Sequence, residues 1–512
     1  MDRIMQNICD NVTTTMAVVG SVLVAVWIYS SRRHSQLPPG PRLRFPLFGN
    51  MFSVTRDIKE ALQKWRKDYG DIFCIYLGLR RVVVINGYDI IKECLATHGH
   101  LFVKRPNVFV SEYPNHGRGI LNTAVTVGME EKRIAEVCLR DFTRGSGKDI
   151  LEIRTGEEVS HLLRLINDEH CRNVDLRSFI NFAVTNVTCS ILFGKRFEDD
   201  DPIFVEYLKR RQENFSLTAI LEFMPYLRYL PGDIFNMKRL TENIAFTEDE
   251  IIKPSLRRLE KDFDDHNVTF VSAYLKECQN LGLPVNHDNL IDIVTNLLIA
   301  GSEPTAVAIQ WGILYFIAYP DVQDRFYQEI KDNVGLHRAP NMSDVESLPY
   351  VQATISEVLR CVNVNPYGAR RFASRDVMFR GYLIPQDTLI LPVLESALFD
   401  QEHWDNPDEF KPERFLNEKG HFVKHKQWIP FSIGQSSCLG EQLATLEMFL
   451  FLSAMIQQFQ FRKTEKSKPP CFRSDTNLSF TPYPYCVQLI DRHRASERRN
   501  VTPSSHLRDT VQ

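Results

Sequence analysis

Apolar residues recur at three- and four-residue spacing along most of the chain, which predicts helices over 57–68, 128–142, 155–166, 288–318, 321–333, 348–361 and 440–458. Period-two runs are few. Ile72 to Leu77 and Arg81 to Asn86, joined by Gly78-Leu79-Arg80, predict one hairpin; Val377 to Ile384 and Thr388 to Leu391, around Pro385-Gln386-Asp387, predict a second. The fold class is therefore mainly α with a small β-rich part.

One stretch has no polar face. From Asn11 to Ser31 there is no charged residue, and its apolar heart runs from Met16 to Tyr29. About 20 helical residues cover the roughly 30 Å hydrocarbon layer of a bilayer, so the stretch is long enough to span. It ends in Trp27-Ile28-Tyr29 and a basic pair, a poor cleavage context, which favours an uncleaved anchor over a signal peptide. Arg32, Arg33, Arg42 and Arg44 follow it against Arg3 before it, so the positive-inside rule sets the body in the cytosol. Leu37-Pro38-Pro39-Gly40-Pro41 forbids helix continuation and reads as a stiff hinge. The division predicted is an anchor over 1–31, a basic, proline-rich hinge over 32–41, one domain over 42–490 and a polar, disordered tail over 491–512.

Composition changes this picture mainly by exclusion. A net charge of −3 with both signs interspersed gives no basic field, so nucleic acid is not an expected partner. The 11 cysteines are odd in number and scattered, with no CxxC pair, which is neither a disulfide framework nor a zinc site. Any special cysteine must be argued from its neighbours. Cys438 has such neighbours: it sits in a glycine-bearing loop, Trp428 to Gly440, directly before an apolar helix. A helix amino-terminus offers unpaired N–H groups and partial positive charge, which favour thiolate, the form that binds iron. Gly434 and Gly440 let backbone approach a flat cofactor, and Phe431 can shield the sulfur.

Phe431-x-x-Gly434-x-x-x-Cys438-x-Gly440, followed by Glu441-x-Leu443-Ala444, resembles the haem-thiolate loop of cytochromes P-450. Other marks follow in that family's order. Glu357-Val-Leu-Arg360 is similar to its ExxR pair, and Arg414 in Pro412-Glu-Arg-Phe415 would complete a buried arginine–glutamate–arginine cluster. Ala300-Gly301-Ser302-Glu303-Pro304-Thr305 resembles the stretch of the family's central helix that crosses the haem. The anchor, the hinge and Leu192 to Phe197 look most like the microsomal family 2 branch.

The resemblance implies a single catalytic domain of that fold, haem b (iron protoporphyrin IX) with Cys438 as axial ligand, and haem contacts from Arg105, Lys132 and Arg371. It implies acid and oxygen-handling roles for Ala300, Glu303 and Thr305. It implies a lipophilic substrate against Phe109, Val110, Tyr113, residues 217–227, Leu298, Val364, Tyr367 and Phe480. The implied setting is the endoplasmic reticulum membrane, with NADPH-cytochrome P-450 reductase and cytochrome b5 as partners. Lys132, Arg133, Arg140, Arg144, Lys424 and Lys426 offer a basic docking surface.

The sequence departs from the family at four positions. Ser436 stands where the loop has an arginine, and Gly128 and Lys132 replace the ends of its WxxxR pair. Pro304 stands where the family has its oxygen-activating threonine, and proline supplies neither hydroxyl nor N–H, so the Ala300 carbonyl loses its helical partner. The leading function is a monooxygenase. An isomerase or dehydratase of oxygenated lipids, needing neither reductase nor threonine, and a non-catalytic haem or lipid binder remain as alternatives.

Overall fold

The chain forms helices α1 (Ile58–Tyr69), α2 (Met129–Arg144), α3 (Lys148–Asp168), α4 (Arg177–Phe193), α5 (Pro202–Leu217), α6 (Met237–Phe246), α7 (Phe270–Asn280), α8 (His287–Ala318), α9 (Pro320–Asn333), α10 (Pro349–Cys361) and α11 (Glu441–Gln458), of which α4, α5, α6 and α7 lie outside the stretches predicted above. The computed structural model describes residues 36–492 apart from 42–44, 46, 55–56, 103–118, 121–128, 145–146, 169–172, 218–220, 222, 262–267, 436, 465–470 and 473–480, together with Thr14, Val18, Gly20, Ser21 and Val22.

Caps mark several of these boundaries. Asp57 accepts from the Glu60 amide at 2.9 Å and starts α1, and Asn286 accepts from the Asn289 amide and starts α8. At 32 residues α8 is about 48 Å long and runs unbroken through Pro304. The largest core gathers along it. Two contacts set how closely its neighbours approach: a Cβ on Gly301 would come to 3.1 Å from Thr188 of α4, and one on Gly312 to 2.9 Å from Leu452 of α11.

Strands β1 (Ile72–Leu77) and β2 (Arg80–Ile85) form the first hairpin with Gly78-Leu79 at its turn. The second hairpin differs from the sequence expectation. Arg380 and Gly381 both take positive φ, so the predicted strand over 377–384 folds back on itself as β4 (Val377–Phe379) and β5 (Tyr382–Ile384). The run predicted to pair with it instead becomes β6 (Leu389–Pro392), parallel to β2 and antiparallel to β3 (Arg371–Phe372). The sheet order is β1-β2-β6-β3, and separate apolar clusters cover its two faces. Finally β7 (Phe459–Lys463) pairs with β8 (Val487–Asp491), so ordered strand reaches Asp491, the first residue assigned to the tail.

The described part of the hinge lies on the body: the Gln36 carbonyl accepts from Leu383 at 2.8 Å and the Pro39 carbonyl from Cys74 at 2.7 Å. Of the anchor, only Thr14, Val18, Gly20, Ser21 and Val22 are described; they are helical, with Val18 and Val22 exposed. The rest of that expectation, and all of the tail beyond Arg492, lies outside the described residues. Among the described residues α8 is the one helix long and apolar enough to cross a membrane, and it is mostly buried as a core helix.

Candidate active site

The loop before α11 is held by its own backbone. The Cys438 amide donates to the Phe431 carbonyl at 2.9 Å and the Ser437 amide to the Gly434 carbonyl at 3.1 Å. Gly434 has φ +86°, and a Cβ there would stand 2.1 Å from the Leu95 carbonyl, so only glycine fits. Trp428 anchors the start of the loop: its indole donates to the Ser356 carbonyl at 2.8 Å, and Phe431 meets its ring edge-on at 5.9 Å. Cys438 is left exposed three residues before the start of an 18-residue helix.

The other described cysteines divide clearly from it. Cys74, Cys94, Cys138, Cys189 and Cys278 are buried, and burial pushes the Cys189 thiol up to about 12 and the Cys361 thiol higher. Burial thus keeps the Cys189 and Cys361 thiols protonated. Cys471 and Cys486 are exposed, and Cys486 directly precedes strand β8 rather than a helix. No cluster of three or more His, Cys, Asp or Glu suited to a metal ion occurs among the described residues.

Behind the loop, Glu357 on α10 is the hub of a largely buried network, with Glu357 and Arg360 wholly enclosed and Arg414 at its edge. Its Oε2 accepts from Arg360 Nε at 2.7 Å; its Oε1 accepts from Arg360 Nη2, the Lys411 amide and Arg414 Nε, each at 2.9 Å. Both guanidiniums spend further donors on carbonyls: Arg360 on Leu398, Arg414 on Asp405 and Glu409. Such a cluster is tolerable in low dielectric because every charge in it is met. Glu357 and Arg360 share a helix face by their three-residue spacing, and Arg414 stands where the resemblance placed the third member.

The middle of α8 breaks an otherwise buried helix. Ile299, Ala300 and Pro304 are exposed and Gly301 and Glu303 half-buried, forming a mostly apolar stripe of small side chains with one acid at its edge. Ala300 and Pro304 lie one turn apart on that stripe. Thr305 does not join it: a further 100° round the helix, it is 5% exposed on the packed side. Ser302 is buried too and donates back to the Leu298 carbonyl at 2.6 Å.

Glu303 has a partner that the motif did not foretell. Arg211 of α5 reaches its Oε2 from Nη2 at 3.2 Å and donates from Nη1 to Thr185 of α4 at 3.0 Å. One signal for it is in the sequence. Phe204, Tyr207, Leu208 and Arg211 are spaced as one helix face, so Arg211 falls on the core stripe of α5 although its neighbours are charged.

Other expected site residues scatter. Arg371 is buried on β3, while Leu298 and Tyr367 are in the packed core and Val364 is half-buried at its margin. Leu298 faces away from the exposed stripe of α8, and none of these three is brought onto it. Arg105, Phe109, Val110, Tyr113, Ser436 and Phe480 lie outside the described residues, as does the side chain of Lys132, whose backbone belongs to α2. On the expected basic surface Lys424 is tied to Glu441 at 2.6 Å, beside an exposed Lys426.

The sequence model of the cytochrome P-450 family matches residues 38–489. Cytochrome P-450 2H2 of Gallus gallus is 34% identical over 493 residues, covering 93% of this chain and 98% of its own. Cytochrome P-450 2K1 of Oncorhynchus mykiss is 34% identical, over 92% of this chain and 94% of its own, and cytochrome P-450 2C23 of Rattus norvegicus 31%, over 94% and 99%.

Proposed function

This chain belongs to the cytochrome P-450 family and is a haem-dependent monooxygenase; on that premise we propose that it inserts one atom of dioxygen into a lipophilic substrate lying against the stripe of Ile299, Ala300 and Pro304, with electrons from an NADPH-dependent reductase. The observation that carries this reading is the stripe itself: exposed, apolar and small, on a helix buried before and after it.

The chain's residues suit the cofactor. Cys438 is exposed at a helix amino-terminus, Gly434 and Gly440 keep side-chain bulk out of the loop around it, and Arg371 is the described cation proposed to meet an acidic group of haem b. Bound haem supplies dioxygen reduction and cleavage, which a thiolate ligand favours. The protein's own part is to exclude water with the apolar stripe, orient the substrate against it and deliver protons from Glu303 at its edge. Lys424 and Lys426, beside the thiolate loop, and exposed Arg133 and Arg140 on α2 belong to the surface proposed for the reductase, and cytochrome b5 would use the same face.

Membrane attachment is proposed through the apolar segment 11–31 and one corner of the body. Phe45, Leu47, Phe52, Leu79, Tyr229 and Leu230 are exposed there, and Tyr226 ties their two halves by donating to the Leu47 carbonyl at 2.9 Å. A site on the endoplasmic reticulum, with the body cytosolic, accords with this corner and with the flanking arginines.

A second reading, rearrangement of an already oxygenated lipid, is favoured by the absence of any hydroxyl on the stripe. Reconstituted protein should consume dioxygen with NADPH in the presence of a fatty acid or steroid and release an oxygenated product. Rapid conversion of a lipid hydroperoxide with no NADPH-dependent turnover would replace the first reading by the second.

A further inference from the structure

The Arg211–Glu303 pair bridges α5 and α8 in a nearly dry place: the arginine side chain is 5% exposed and the glutamate 18%. Two polar atoms beside it have no hydrogen-bond partner, although both are buried: Nε of Arg211 itself and Oη of Tyr207. Tyr207 lies one turn before Arg211 on the same face of α5, its ring centroid 5.8 Å from the guanidinium. Buried donors and hydroxyls are rarely left unmet; internal water is their usual partner where the site is polar. Here the N–H of Arg211, the phenol of Tyr207 and the carboxylate of Glu303 supply that polarity together. The stripe that Glu303 borders has no hydroxyl, because Pro304 lacks one and Thr305 is turned inward, so proton traffic past this point depends on what serves the carboxylate.

We propose that Arg211 is a positioning residue that holds Glu303 at the edge of the stripe, and that water bound between Arg211 Nε and Tyr207 Oη returns to the carboxylate each proton it gives up. The inference rests on the reading of Glu303 as proton donor. The water passes a proton to Glu303 and takes one from the next water in turn, so no charge accumulates. Because Arg211 belongs to α5 and also grips Thr185 of α4, the acid is in place only when α5 is seated on α8. That makes proton supply sensitive to the packing of a helix that supplies none of the stripe.

The test uses the haem-loaded, membrane-reconstituted protein and the ratio of oxygenated product to NADPH consumed. Glu303→Gln and Arg211→Met should each lower that ratio roughly tenfold or more, as expected for loss of a charge-assisted contact. The double variant should be no worse than either alone, and Arg211→Lys should recover part of the loss. A purely structural Arg211 would instead lower stability and leave the ratio unchanged. Tyr207→Phe deletes one oxygen atom and preserves the fold; it too should lower the ratio. A crystal structure of the holoenzyme should contain an ordered water within hydrogen-bond distance of both Nε and Oη, and that water should be missing in Tyr207→Phe. If Glu303→Gln lowers the ratio while Arg211→Met and Tyr207→Phe do not, or if the water is absent, this inference is overturned and the proton-donor reading stands. If Glu303→Gln changes nothing, that reading falls first.

Discussion

Trp428 donates its indole N–H to the carbonyl of Ser356 at 2.8 Å, and this bond joins the loop that carries Cys438 to the helix that carries Glu357. The charge network and the thiol loop are thereby one mechanical unit. Trp428→Phe removes this bond, while the Ser356 carbonyl keeps its helical partner, and should lower stability by about 0.5–1.5 kcal/mol. Glu357→Ala, which strands two buried arginines, should cost about 3–5 kcal/mol. Denaturant midpoints of the holoenzyme measure both. An unchanged midpoint for Trp428→Phe means that the bond does not secure the loop.

Cys438→Ser should abolish the red-shifted thiolate band of the reduced carbon-monoxide complex, while Cys361→Ser and Cys486→Ser retain it. Cys361 is the sharper control: it is adjacent to Arg360, whose Nη2 donates to its sulfur at 3.1 Å, yet burial keeps its thiol protonated. Loss of the band on replacing Cys361 alone would refute the assignment.

Glu447 lies fully buried in α11 with neither carboxyl oxygen hydrogen-bonded, and burial pushes its carboxyl well above the ordinary 4.5. The folded chain therefore keeps a proton that the unfolded chain releases above that value. Its contribution is fully present below pH 4.5 and is lost as pH rises toward the raised folded value. Glu447→Met should flatten this decline and, by removing an unmet buried polar group, raise stability near neutral pH by about 1–3 kcal/mol. Thermal unfolding across pH reads the effect; parallel wild-type and Met profiles would show that Glu447 is not its source.

Pro304→Thr restores a hydroxyl to the exposed stripe and an N–H for the Ala300 carbonyl. One hydrogen bond to a charged group is worth about 1.5–3 kcal/mol, so product per NADPH should rise by roughly one to two decades with a matching fall in hydrogen peroxide. A wild type already tightly coupled would mean that water serves in place of the hydroxyl.

The sequence by itself determined the helix pattern, the first hairpin, the glutamate–arginine network and the exceptional place of Cys438. Each rests on neighbours close along the chain: apolar spacing for α8, three residues from Glu357 to Arg360, two from Cys438 to Gly440. Arg414 was legible at long range only through the resemblance of Pro412-Glu413-Arg414-Phe415 to the family's pattern. Tertiary structure alone decided the rest. The run over 388–391 left its expected hairpin for β2 because strand pairing depends on which edge is free in space. Thr305 lost its place beside Pro304 because 100° of helix rotation separates adjacent residues and packing chose the face. Arg211 met Glu303 across 92 positions of sequence, 211 to 303. No local pattern encodes such a partner, since burial sets the strength of a charge pair and burial exists only once α5 has packed on α8.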